Sequence, residues 1–114
     1  MMNEQQQQAF EQAMSRARQL CQQGRWGEAF PWLERAHILG QRSTMAHVTT
    51  HCWMFRVGWH RRDWSEVRGQ LLRIPAALLM SRLWVPVGNT GGANVNPLKP
   101  LPLPENLKMI MEKR

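Results

Sequence analysis

Three of the chain's four histidines fall within fifteen residues, inside the stretch ERAHILGQRSTMAHVTTHCWM that runs from Glu34 to Met54. His47 and His51 stand four apart, so on a helix both rings leave the same side and can reach one metal ion. His37 stands three residues before Gly40, and His47 four after Ser43. An antiparallel hairpin turning through residues 40–43 would therefore set these two at about the same depth on facing helices. Glu34 lies one turn from His37, and an E-x-x-H pair on one helix is what helix-bundle metal sites use. Met54 continues the stripe formed by His47, His51 and Gly58. The candidate metal ligands are thus His37, His47 and His51, with Glu34 or Met54 as a fourth donor.

Neutral imidazoles suit zinc, copper, nickel, cobalt or iron, whereas a carboxylate shifts preference toward harder ions and the sulfur of Met54 or Cys52 toward Cu(I). His47 would sit in the first turn of its helix, where the positive end of the dipole disfavours imidazolium and keeps the lone pair available. A purely structural role remains the alternative. His37 near a helix C-terminus can bond terminal carbonyls, and His47 and His51 can hydrogen-bond within the hairpin interface. His60, beside Arg61 and Arg62, reads as solvent-facing and is not counted.

The elements that must position these residues are helices. Phe10, Ala13, Met14, Ala17, Leu20 and Cys21 recur at helical spacing, which predicts a first helix over residues 3–23, with Gln5 to Gln8 as a frayed lead-in and Gly24 as a stop. A second helix runs from Trp26 to Gly40, turning Ala29, Phe30, Leu33, Ala36 and His37 inward, with Gly40 closing it in a left-handed conformation. Ser43 or Thr44 caps a third, whose inward stripe is expected to be Met45, Val48, Cys52, Phe55 and Trp59. That places Cys52 in the core, and the Trp residues are mostly core by the same spacing. Asp63 caps a fourth through Trp64, Val67, Leu71 and Ile74, and Pro75 opens a short fifth segment.

The body therefore reads as two helical hairpins. Aligning them matches Trp26 with Trp64, Glu28 with Glu66, Ala29 with Val67 and Leu33 with Leu71. This resembles the tetratricopeptide-type repeat, although two units fall short of the roughly three that stable arrays need. Something must cover the open end. From Trp84 onward Gly, Asn and Pro dominate until PENLKMIMEKR, where Pro104 suits a first helical turn. The expectation is an all-α fold of a single domain over residues 1–114. It comprises a hairpin body over 3–83, a Gly/Pro-rich loop and arm over 84–104 that wraps back, and a short terminal helix over 104–113.

The loop GNTGGAN, Gly88 to Asn94, has no lysine-serine partner, no preceding strand and no dinucleotide spacing, so it is not a phosphate loop by motif. Asn89, Thr90, Gly91, Gly92 and Asn94 are instead candidate lid or ligand-binding residues if the loop folds over the histidine face. No serine or cysteine nucleophile is placed with a histidine and an orienting acid, so catalysis has no positive support.

Composition sets the remaining limits. The two cysteines, Cys21 and Cys52, give neither a disulfide framework nor a paired zinc motif, and the default is reduced thiols in the cytoplasm. No secretory signal opens the sequence, and the apolar stretch from Leu71 to Val87 is broken by Arg73, Pro75, Arg82 and Pro86, which argues against a membrane span. The net charge of +7 comes from arginines scattered along helices, without a nucleic-acid motif. A basic groove with Arg56, Arg62 and Arg68 offers an alternative function, holding an acidic peptide or protein partner. Apolar hairpin ends also permit a homodimer.

The segments LERAHILGQR, AHVTTHCWM, QLLRIP and VPVGNTGGANV together resemble a small bacterial family known only as domain of unknown function 3703. The similarity runs from about Ala17 to Leu107, and VPVGNTGGANV is its most specific part. The resemblance implies that His37, Gly40, His47, His51 and the Gly88 to Asn94 loop form one pattern, and it implies no activity. On the residues themselves, the leading expectation is a protein that binds a transition metal for handling or sensing.

Overall fold

In a computed structural model, which describes residues 2–81 and 83–112, the chain forms five helices and, among those residues, no strand. Helix α1 (Glu4–Gln22) begins at a capping box: the Asn3 side chain accepts from the Gln6 amide at 2.7 Å and the Gln6 side chain accepts from the Asn3 amide at 3.4 Å. This satisfies donors that a helix start leaves orphaned. The glutamine run is not a frayed lead-in, because Gln6 is buried and its Nε2 donates to the Leu39 carbonyl at 2.6 Å. That bond ties the start of α1 to the end of α2 (Trp26–Gly40).

Gly40 ends α2 for a reason other than left-handed geometry. The residue after it, Gln41, has φ −64° and ψ −18°, still right-handed. A side-chain carbon at Gly40 would stand 2.8 Å from the Phe10 ring and 2.9 Å from the Ala46 methyl group. Close packing of α1, α2 and α3 (Thr44–His60) around this point is what requires glycine.

Helix α3 turns the other way from expectation. Its buried face is Ala46, His47, Thr50, His51, Met54, Val57 and Gly58, while Met45 is 78% exposed, Trp59 is 55% exposed and Cys52 is a free, exposed thiol. None of the six Trp is buried. The inner stripe is polar at three positions because those groups find hydrogen-bond partners inside, as Thr50 does by donating to the Ala46 carbonyl at 2.7 Å. Helix α4 (Trp64–Met80) starts at Asp63, whose side chain accepts from the Glu66 amide, and it runs straight through Pro75 rather than breaking there. Its buried face is Glu66, Val67, Gln70 and Ala77, so Leu71, expected inward, is 57% exposed.

Helix α1 packs on α2, α2 on α3 and α3 on α4, the two hairpins read from the sequence. Phe10, Met14, Leu20, Leu33, Leu39, Met54 and Val57 fill the core. The short helix α5 (Glu105–Glu112) returns to α1, burying Leu107 in the same core, and the Asn3 side chain donates to the Ile110 carbonyl. Lys113, the end of the terminal helix expected from the sequence, lies outside the described residues. The radius of gyration is 13.0 Å, close to the ~13 Å of a compact chain this long, so the C-terminal third lies against the body.

Candidate metal centre

The turn between α2 and α3 delivers His37 and His47 to each other, and the next turn of α3 adds His51. Their Nε2 atoms approach at 2.9 Å (His37 to His47), 3.2 Å (His37 to His51) and 3.0 Å (His47 to His51). All three rings are buried, with relative exposures of 2, 7 and 3%. The rings splay about a common point, the His37 plane lying 70° from His47 and 71° from His51.

What the opposite ring edges touch decides the chemistry. His37 Nδ1 lies 2.7 Å from the backbone carbonyl of Asn89, which can only accept. His51 Nδ1 lies 2.6 Å from Gln70 Oε1, and the Gln70 amide nitrogen is spent on Glu66 Oε2 at 2.5 Å and the Gly91 carbonyl at 2.9 Å. His47 Nδ1 lies 2.8 Å from Ser81 Oγ, whose own hydrogen goes to the Ala77 carbonyl. Each Nδ1 therefore carries the proton and donates it. Each Nε2 is consequently a bare lone pair, and three lone pairs converge with no hydrogen between them.

Burial reinforces this state. Desolvation holds His47 down to about 4, and desolvation, then the nearby His47, holds His51 down to about 3. His37 is pushed well below its ordinary value by burial first and then by its two neighbours. A buried imidazole pays to become charged, so the cluster resists quenching by a proton. The three nitrogens could hold a metal ion. Zinc–nitrogen bonds of about 2.0–2.1 Å put tetrahedral ligands about 3.3 Å apart and right-angled ones about 2.9 Å apart, and the observed triangle lies between. Among the described residues, His, Cys, Asp and Glu donors that could hold an ion together are these three, within 4.8 Å of one another.

The loop from residue 88 to 94 presses on the cluster from the other side. Gly91 has φ +85°, and a side-chain carbon there would stand 2.4 Å from the His37 ring, so both conformation and space demand glycine. Asn89 locks the loop: its Oδ1 accepts from the Gly91 amide at 2.9 Å, and its Nδ2 donates to the Asn96 and Lys99 carbonyls, each at 2.8 Å. Glu66 accepts from the Ala93 amide through both oxygens at 3.1 Å.

The structure does not bring every candidate to the centre. Glu34 lies with Thr90, Trp32 and Leu107 around a separate cavity, where burial raises its carboxyl and Thr90 opposes the shift. Three residues of helix rotate a side chain about 60° from alignment, enough to turn Glu34 away from the partner helix. Met54 is fully buried, with its sulfur 3.5 Å from the Gln70 amide nitrogen, one step behind His51. Asn94 lines another cavity, with Glu66 and Phe30, and Gly92 lies close to the Phe30 ring. His60 is exposed and stacks on Trp26 at 3.9 Å. Of the alternative partner-binding residues, Arg56 lies over the Trp53 ring at 4.6 Å, Arg62 takes a left-handed turn with φ 56°, and Arg68 is exposed on α4.

The histidine partners Gln70 and Ser81 escaped sequence reading. A signal existed: Glu66, Gln70, Arg73, Ala77 and Ser81 follow spacings of four, three, four and four, the same polar stripe on α4 that His47, His51 and Met54 make on α3.

The family description Protein of unknown function (DUF3703) matches residues 4–111, almost the whole chain. The chain belongs to this family. No curated protein and no solved structure matches it. Membership in DUF3703 assigns no activity. No helix among the described residues is long and apolar enough to cross a membrane.

Proposed function

We propose that this DUF3703 protein binds one transition-metal ion through the Nε2 atoms of His37, His47 and His51, for metal handling or sensing. One observation carries the reading: three buried nitrogens face one another at 2.9–3.2 Å while every opposite nitrogen donates to a fixed acceptor. Nothing in a purely structural role rewards that arrangement, since converging lone pairs repel and form no hydrogen bond. Metal-ligating histidines characteristically donate their second N–H to a carbonyl or similar group, which fixes tautomer and ring orientation. Three neutral nitrogens suit zinc, cobalt, nickel, copper or iron, and they match poorly with magnesium or calcium, which take oxygen.

The test uses untagged protein, because a polyhistidine tag binds the same ions. After incubation with zinc, cobalt, nickel or copper and removal of free ion, metal analysis is expected to find about one ion per chain, with the His47→Ala/His51→Ala variant holding none. Wild-type protein that retains no stoichiometric metal would end the proposal.

A further inference from the structure

The three histidines do not stand in a closed core. They line a cavity of about 130 Å³ whose walls include Ala77, Met80, Trp84, Val85, Pro86 and Leu98. Met80 and Trp84 are about half exposed and Leu98 more so, which gives the cavity an apolar rim that opens outward. Its size approaches the ~150 Å³ of an engineered apolar cavity that accepts benzene. There is room for a short apolar body.

Charge balance says what head group that body must carry. Three imidazoles bring no negative charge, and the groups behind them are a carbonyl, a hydroxyl and an amide. A divalent ion there keeps its full charge in a mostly apolar pocket. Arg73 lines the same cavity and adds another positive charge. Its Nη1 donates to the Gly69 carbonyl at 3.1 Å and its Nη2 to the Val95 carbonyl at 2.8 Å, while its Nε is buried without a partner. The nearby carboxylate, Glu66, is committed to Gln70 and the Ala93 amide. A divalent ion beside a half-buried guanidinium that keeps one buried donor unused calls for an anion.

We propose that the metal's remaining position, together with Arg73 and the apolar cavity, binds a small organic carboxylate with a short hydrocarbon body. The inference rests on the metal reading above and extends it to a ligand class. One carboxylate oxygen reaches the metal, the other the Arg73 guanidinium, and the hydrocarbon lies against Met80 and Trp84.

Cobalt serves as the reporter, since its visible bands shift when a ligand enters its coordination sphere. The protein is first loaded with cobalt and its stoichiometry measured, then titrated with acetate, propionate and butyrate, and with butylamine and butanol. Affinity is expected to rise about fourfold for each added methylene, with no band shift from butylamine or butanol. Arg73→Gln is expected to keep its cobalt, to weaken butyrate about tenfold or more, and to leave the methylene increment unchanged. Protein that takes up no cobalt overturns the metal reading and this proposal together. Cobalt-loaded protein whose bands ignore butyrate overturns the carboxylate proposal alone, as do equal affinities for acetate and butyrate or an undiminished Arg73→Gln response. The alkanoate series needs no variant, so a destabilised Arg73→Gln does not blunt the test.

Discussion

Ser81 shows how one hydroxyl can set the state of an imidazole it stands behind. By donating to the Ala77 carbonyl it can only accept from His47 Nδ1, which leaves Nε2 free to face His37 and His51. Ser81→Ala removes that acceptor without touching the three nitrogens. It is expected to weaken metal binding about 10- to 100-fold and to cost the metal-free protein about 1–3 kcal/mol through an unsatisfied buried donor. Competition against a chromophoric chelator measures the first effect and urea unfolding the second. An unchanged metal affinity would mean that the hydroxyl is only a helix-end cap. At this scale the sequence was readable for the three histidines and not for their supports. His37, His47 and His51 announce themselves by type and by spacing around one turn. Asn89 contributes through its backbone carbonyl, which no residue type encodes, and Gln70 and Ser81 come from a helix whose rotation the sequence leaves open.

Helix α3 packs inward by a different stripe from the one its spacing predicts. Its apolar residues Met45, Val48, Cys52, Phe55 and Trp59 form a clean helical stripe, yet the face that packs inward carries His47, Thr50, His51 and Gly58 among Ala46, Met54 and Val57. Pattern reading assumes that apolar groups go in and polar ones out. A helix that dedicates its inner face to a polar centre inverts the signal. The difference has a direct energetic signature. Met54→Ala, at a fully buried position, is expected to cost about 2–5 kcal/mol. Met45→Gln, at a position 78% exposed, is expected to stay within about 0.5 kcal/mol of wild type. Chemical denaturation of the two variants compares them, and equal losses would restore the stripe that spacing suggested. The hairpin pairing and the cap at Asp63 were legible because they rest on local rules, whereas the cap at Asn3 was not read from the polar lead-in. The continuity of α4 through Pro75 was not, because a proline at the surface loses one hydrogen bond without stopping a helix that is held elsewhere.

For the molecule as a whole, three buried neutral rings make stability depend on acidity. Unfolded histidines titrate near ~6.5, whereas the folded His47 and His51 sit at about 4 and about 3 and His37 lies well below its ordinary value. Between those limits the unfolded chain takes up protons that the folded one refuses. The stability of metal-free protein should therefore be at its full value above about pH 6.5 and fall as the solution is acidified toward the folded values. The slope is up to about 1.4 kcal/mol per pH unit for each histidine. Urea midpoints of metal-free protein at pH 7.5, 6 and 5 test this, and a flat series would show that the rings are not held neutral. Metal loading should lift all three midpoints, since an ion that binds only the folded state adds about 2.7 kcal/mol when present at a hundredfold excess over its Kd.

The bond from His37 to the Asn89 carbonyl spans 52 residues of chain. An ion held by His37 is thereby clasped to the C-terminal arm as well as to the two hairpins. Occupancy and arm closure would then form one equilibrium: extracting the ion would loosen residues 89–101, and prising the arm away would lower the grip on the ion. Slowed amide exchange at Gly91 and Ala93 on loading would register that reciprocity, and unchanged exchange would show arm and ion to be independent.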